Sequence, residues 1–114
     1  MTTIVYVDDE PAICRSISTV LEECGAEVRT FTEPAEAVAY INETSPALVI
    51  CDYRMPGMDG LQVLEKLTVE VPFVLISGYL DLDEQRTSGV VAVLSKPVRA
   101  EALLEFVASF LEPR

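Results

Sequence analysis

Five short runs rich in β-branched and other apolar residues recur along this chain, at residues 4–7, 27–31, 47–51, 73–76 and 90–94, and longer amphipathic stretches separate them. That alternation constrains the fold more than any other feature. It is the pattern of an α/β protein with a parallel sheet. Several runs are apolar at every position, as strands covered by helices on both faces require. With 114 residues the chain is expected to form one domain, 1–114, large enough to bury roughly two-thirds of the surface its unfolded form exposes.

Between the first two runs, Ile13, Ile17, Val20, Leu21 and Cys24 fall on one side of a helix that starts at Pro11 and stops at Gly25. A second helix is predicted after Thr32, with Pro34 and Glu36 in its first turn. A third follows Asp59 as N-cap, with Leu61, Leu64 and Leu67 as its stripe. The last is expected over 99–111, turning Leu103, Leu104, Val107, Phe110 and Leu111 inward and leaving Phe106 at the edge of the stripe. The stretch 83–88, Asp-Glu-Gln-Arg-Thr-Ser, carries no apolar stripe. Little burial is available to hold a helix there, so about two frayed turns are expected.

Charge narrows the function. Eight basic residues against 19 acidic ones leave a formal charge of -11, which argues against direct nucleic-acid binding, because phosphate backbones need a basic surface. With no histidine and no cysteine pair at ligand spacing, zinc has nothing to bind, whereas carboxylates suit a hard cation such as Mg²⁺. Cys14, Cys24 and Cys51 each sit where a small apolar residue would serve, and are expected to be buried thiols. The apolar runs are too short to span a bilayer and no basic leader precedes the first, so a cytoplasmic protein without membrane contact is expected.

The polar residues gather at one place in this scheme. In an open parallel sheet, ligands bind outside the carboxyl ends of the strands. Asp8 and Asp9 follow the first run, Asp52 the third, Ser77 the fourth and Ser95-Lys96-Pro97 the fifth. Taken singly, an aspartate before a helix serves as an N-cap, Ser77-Gly78 as a turn and Lys96 as a surface charge. Asp52, at the end of a central strand, needs a partner. Taken together, three converging carboxylates repel one another unless a cation shares them, and Mg²⁺ suits that task. A lysine and a serine then suit a transferred phosphoryl group, whose chemistry calls mainly for positioning and charge neutralisation. A carboxylate held there can itself be the acceptor, giving an acyl phosphate.

The stretches "YVDDEP", "CDYRMPGMDG", "ISGY" and "LSKP", in this order, resemble the motifs of the receiver domains of two-component response regulators, and the likeness covers nearly the whole chain. It implies a flavodoxin-like α/β fold, a three-layer sandwich with a five-stranded parallel sheet in the order 2-1-3-4-5. It implies a phosphoprotein role in a phosphorelay, with Asp52 accepting a phosphoryl group from the phosphohistidine of a sensor histidine kinase or histidine phosphotransfer protein. By the same resemblance Asp9, Asp52 and the backbone carbonyl of Arg54 would hold Mg²⁺, or Mn²⁺ in its place, and Asp8 would act directly or through water. Lys96 would pair with the phosphoryl oxygens, Ser77 would swing in to hydrogen-bond them, and the bond before Pro97 would be cis. Arg54 and Tyr79 would flank the attacking water and tune the lifetime of the acyl phosphate. Such a domain is not an enzyme in its own right beyond its own phosphorylation and dephosphorylation, and it works through an output surface that here includes Val93 and Phe106.

Two departures from the family pattern stand out. Val93 replaces the aromatic usual three residues before the lysine, and only 18 residues separate Ser77 from Lys96. "PFVLISGY" is similar to the Pro-Phe-x-Phe-Ala-Thr-Gly-Tyr stretch of a receiver subgroup that lacks the aromatic relay and has a reduced helix after its fourth strand. In that subgroup's manner, phosphorylation is expected to order residues 83–88. Rival readings remain: a Mg²⁺-dependent phosphatase with an aspartyl nucleophile, though Asp52-Tyr53-Arg54 is not the Asp-x-Asp such enzymes use, a flavin carrier, or a receiver-like binding module without phosphotransfer. With no effector segment after the last helix, a stand-alone regulator and an N-terminal domain are both compatible with the sequence.

Overall fold

The computed structural model describes residues 2–78 and 89–111. Five strands, β1 (Thr3–Val7), β2 (Glu27–Phe31), β3 (Leu48–Asp52), β4 (Phe73–Ser77) and β5 (Ala92–Ser95), form one parallel sheet in the order β2-β1-β3-β4-β5. The helices are α1 (Pro11–Leu21), α2 (Pro34–Thr44), α3 (Gly60–Glu65) and α4 (Ala100–Leu111). The expected α/β architecture and strand order are both present.

Alternation along the strands divides the core in two. Ile4 and Tyr6 of β1, Leu48 and Ile50 of β3, and Val74 and Ile76 of β4 pack with Cys14, Ile17 and Leu21 of α1 and with Leu103 and Val107 of α4. Val5, Val7, Val49, Cys51, Phe73 and Leu75 point the other way, against Ala37 and Ile41 of α2 and Leu61 and Val63 of α3. All five residues of β3 and of β4 are buried, which explains their unbroken apolar runs. β2 is an edge strand, and its exposed Arg29 pairs with Glu27 at 3.6 Å and lies 5.8 Å from the centre of the Tyr40 ring. Charge on an edge discourages pairing with other chains.

Several boundaries differ from the sequence reading. β3 and β4 each run one residue further than expected, so that Asp52 and Ser77 are strand residues. β5 begins at Ala92 rather than Val90, and Val91 is 54% exposed. In α1 it is Cys14, not Ile13, that is buried, and Ile13 lies at the solvent edge. The helix tightens into a 3₁₀ turn, Glu22–Cys24, before Gly25 reverses the chain at φ 87°, and Cys24 is only half-buried. Phe110 of α4 is exposed rather than inward, stacked at 6.2 Å on a half-buried Phe106. The weakly patterned stretch 83–88 lies outside the described residues.

The start of α3 sets the loop that follows β3. Asp59 caps it by accepting from the Gln62 amide at 2.9 Å, and the Gln62 side chain accepts from the Asp59 amide at 2.8 Å, a reciprocal box. Gly60 then donates to the Tyr53 carbonyl at 2.9 Å, folding the helix back onto the end of β3. A Cβ at Gly60 would sit 2.8 Å from the Asp52 carbonyl oxygen and 2.6 Å from Leu75 Cδ2. Only glycine allows that approach. Gly60→Ala is therefore expected to destabilise the fold by about 1–3 kcal/mol. Urea denaturation measures it, and an unchanged midpoint would contradict the close packing of α3 on Asp52.

Candidate functional site

Parallel strands in register bring their carboxyl ends to one edge. Ladder hydrogen bonds continue one residue past the strands: the Asp8 amide donates to Phe31 O at 3.0 Å, Tyr53 to Ile76 O at 2.9 Å and Lys96 to Ser77 O at 2.9 Å. Asp52 pairs with Ile76, and Ser77 with Ser95. Asp8, Asp52, Ser77 and Lys96 thus occupy one rim, fixed by the same hydrogen bonds that build the sheet.

At that rim one carboxylate oxygen each from Asp8, Asp9 and Asp52 lie within 4.8 Å of one another. Asp8 and Asp52 are buried and Asp9 is half-buried. Lys96 Nζ approaches Asp52 Oδ1 at 2.8 Å. At this distance the ammonium and the buried Oδ1 form a charge-assisted contact. Burial pushes the Asp52 carboxyl above the usual carboxylate range; Lys96 opposes that shift, while Asp8 and Asp9 add to it. Partial burial works to lower the Lys96 pKa, but Asp52, then Asp8 and Glu10, outweigh it and hold the ammonium above its ordinary value.

Asp8 is held differently. Its Oδ2 accepts from the Tyr6 hydroxyl at 3.1 Å, its Oδ1 from the Glu10 amide at 3.0 Å, and its carbonyl from the Cys14 thiol at 3.3 Å. Burial, then the charge of Asp8, push the Tyr6 phenol far above its usual range, so the group stays a donor. Burial, with the Asp8 charge beside it, pushes the Cys14 thiol up to about 11. The sequence reading passed over both residues as core, although a tyrosine inside a buried strand already announces a hydroxyl that needs a partner.

Of the remaining candidates, Ser77 belongs to this rim and the others lie around or away from it. Ser77 is 4% exposed at the end of β4 and engages in polar contact there. Arg54 lies exposed in the loop after β3, and Tyr79 lies outside the described residues. The Lys96–Pro97 peptide is cis. Val93 on β5 is 43% exposed, on the far side of the strand from Leu94. A cleft of 520 Å³ opens beside the rim between the start of α1 and the segment after β5, with Tyr6, Ile17, Ile76 and Leu103 as apolar walls and Asp8 and Lys96 at its polar end. No helix among the described residues is long and apolar enough to cross a membrane.

An acidic rim with one lysine, at the carboxyl edge of a 2-1-3-4-5 sheet, defines a class of α/β proteins that present a buried aspartate beside a cation-ready pocket. Comparison with known proteins supplies the family. The family model for the response regulator receiver domain matches residues 4–108, and the chain belongs to that family. It is 29% identical over 119 residues to the C4-dicarboxylate transport transcriptional regulatory protein DctD of Pseudomonas aeruginosa, covering 99% of this chain and 26% of that protein. It is 31% identical to the sensor protein GacS of Pseudomonas syringae pv. syringae, covering 91% of this chain and 13% of that protein. The chain thus spans about a quarter of the first of these relatives and about an eighth of the second. Among solved structures, a response regulator receiver domain protein from Clostridium thermocellum superposes with a TM-score of 0.84 at 28% identity, covering 97% of this chain and 94% of that one.

The raised carboxyl of Asp52 has a measurable consequence in metal-free protein. Because its folded-state pKa lies above the unfolded value, its share of stability is present at acid pH and is lost as pH rises through the folded-state value. Asp52→Asn removes this dependence. In chelator, the variant is expected to exceed the wild type by about 1–3 kcal/mol at neutral pH, the cost of burying an anion that Lys96 only partly offsets, and to lose that margin on acidification. Urea denaturation of both proteins across this range checks it; a margin independent of pH would contradict the shift.

Proposed function

We propose that this receiver unit, over 1–114, accepts a phosphoryl group on Asp52 from the phosphohistidine of a sensor histidine kinase or histidine phosphotransfer protein. The observation that carries the reading is the buried carboxylate of Asp52, whose Oδ1 meets the Lys96 ammonium at 2.8 Å and which shares the rim with two further carboxylates. Each carboxylate oxygen has two lone pairs, so the contact with the ammonium leaves one for bond formation. It attacks the phosphorus of the donor, the P–N bond breaks, and the imidazole leaves with the electron pair, giving an aspartyl phosphate.

The donor set also fits a hard divalent cation: all oxygen, anionic, and clustered within 4.8 Å. Asp9, Asp52 and the Arg54 carbonyl would hold Mg²⁺, or Mn²⁺ in its place, with Asp8 direct or through water. When bound, the ion neutralises charge on the phosphoryl oxygens. Lys96 does the same from the opposite strand, and its raised pKa keeps it cationic. Ser77 offers a hydroxyl to a phosphoryl oxygen at the end of β4. Arg54, exposed beside the acceptor, and Tyr79 tune the lifetime of the phosphoryl group.

The signal then passes to protein contacts rather than to a small-molecule product. Val93, half-exposed and aliphatic on β5, carries no ring to swing inward, so the output surface, to which Val93 and Phe106 contribute from opposite sides of β5, responds without an aromatic relay.

Intact mass spectrometry after incubation with acetyl phosphate and Mg²⁺ tests the reading. Wild type is expected to gain one phosphoryl group, chelator to abolish the gain, and Asp52→Asn to show none. Lys96→Ala is expected to slow the reaction by about 10²-fold, as loss of one preorganised charge does. A wild type that stays unmodified, or an Asp52→Asn variant modified at the same rate, would refute it.

A further inference from the structure

The three carboxylates of the rim differ in how far the chain already commits them. Asp8 has both side-chain oxygens engaged by neutral donors, Tyr6 at 3.1 Å and the Glu10 amide at 3.0 Å, and its carbonyl engaged by Cys14 at 3.3 Å. Asp52 Oδ1 meets no such donor. The Tyr6 contact follows from the strand: residues two apart in extended chain face the same side, so position 6 lies behind position 8. The ring is 3% exposed and fixed among Ile4, Ile17, Ile50, Ile76 and Leu103, which leaves its hydroxyl no freedom to wander.

We propose that Tyr6 is a positioning residue of the cation site, its hydroxyl holding the Asp8 carboxylate in one orientation so that the ion meets a preset ligand rather than one to be ordered on binding. This rests on the reading of the rim as a Mg²⁺ site. Each carboxylate oxygen has a second lone pair, so the bonds from Tyr6 and Glu10 leave Asp8 able to face the ion or a water on it. A ligand already in place spares the ordering cost of binding. Groups that orient metal ligands in this way typically contribute about 10–100-fold in affinity. The competing account is that Tyr6 is a packing residue whose hydroxyl takes the nearest acceptor. The two accounts separate at the metal, not at the fold.

Calorimetric titration of Mg²⁺ into wild type, Tyr6→Phe, Asp8→Asn and the double variant separates them. Phe keeps the ring and removes only the donor. Tyr6→Phe is expected to weaken Mg²⁺ binding by about tenfold, and to weaken it no further once Asp8 is Asn, the signature of a residue acting through its neighbour. On the wild type alone, the Tyr6 Cζ carbon resonance is expected to shift on Mg²⁺ addition, a readout that does not depend on any variant folding. Equal affinities for wild type and Tyr6→Phe, equal losses in both backgrounds, or an unmoved Cζ resonance would overturn the proposal alone. A wild type that binds no Mg²⁺ would overturn it together with the reading of the rim.

Discussion

Two carboxylates about 5 Å apart repel by on the order of 3 kcal/mol at an effective dielectric of about 20, and this fold sets three of them within that range at the end of a buried sheet. Lys96 offsets one charge, which leaves two negative charges in the group of four. The upward shift of Asp52 comes first from burial, which makes the anion costly; Lys96 works against it, and the acidic neighbours add to it. A site that is unfavourable as it stands favours whatever brings positive charge to it, and here two charges are wanting. The same repulsion that would unsettle an ordinary surface is what a divalent cation held by this cluster would relieve.

Such an arrangement persists only because the frame cannot relax around it. Asp52 terminates a strand buried along its whole length, with Val49 and Cys51 in one half of the core and Leu48 and Ile50 in the other. To move the carboxylate outward, β3 would have to break its pairing with β1 and β4 and open cavities on both faces. Emptying one large apolar site alone costs about 2–5 kcal/mol, as much as the repulsion it would relieve. Behind it Gly60 admits α3 so close to the Asp52 carbonyl that the loop has no slack. The core therefore does more than stabilise the protein; it enforces the electrostatic problem at the rim.

The sheet and the acidic cluster were legible in the sequence because both depend on coarse patterns. Apolar runs of strand length, separated by stretches of helical length, fix a parallel sheet, and the carboxyl ends of parallel strands meet at one edge whatever the details. What escaped depends on finer balances. Ile13 and Cys14 are adjacent, and a small difference in helix rotation decides which is buried; periodicity alone tolerates either. The apolar run at 90–94 does not say which of its residues join the ladder, and at the sheet's edge Val91 is left 54% exposed. Phe110 belongs by spacing to the inner stripe of α4, yet Phe106 covers it from the side rather than the core from below. Tyr6 was the most instructive omission, since a pattern read in terms of apolarity cannot register what a single hydroxyl does.

That hydroxyl bears on why three aspartates of one rim should not be interchangeable. An acceptor has to form a bond to phosphorus, so it must keep a lone pair open toward the phosphoryl donor. A ligand that only shapes a cation site gains from the opposite condition, in which every donor nearby already fixes it. Asp8, at the start of the rim, meets the second condition, with Tyr6, Glu10 and Cys14 closing around it. On the proposed reading Asp52 meets the first, its Oδ1 facing an ammonium that offsets its charge and leaves a second lone pair open. On this reading identical side chains take different roles from the groups that the fold places against them, and the difference lies in strand geometry: one residue stands two positions beyond a tyrosine, the other stands opposite Ile76, whose side chain has no polar group.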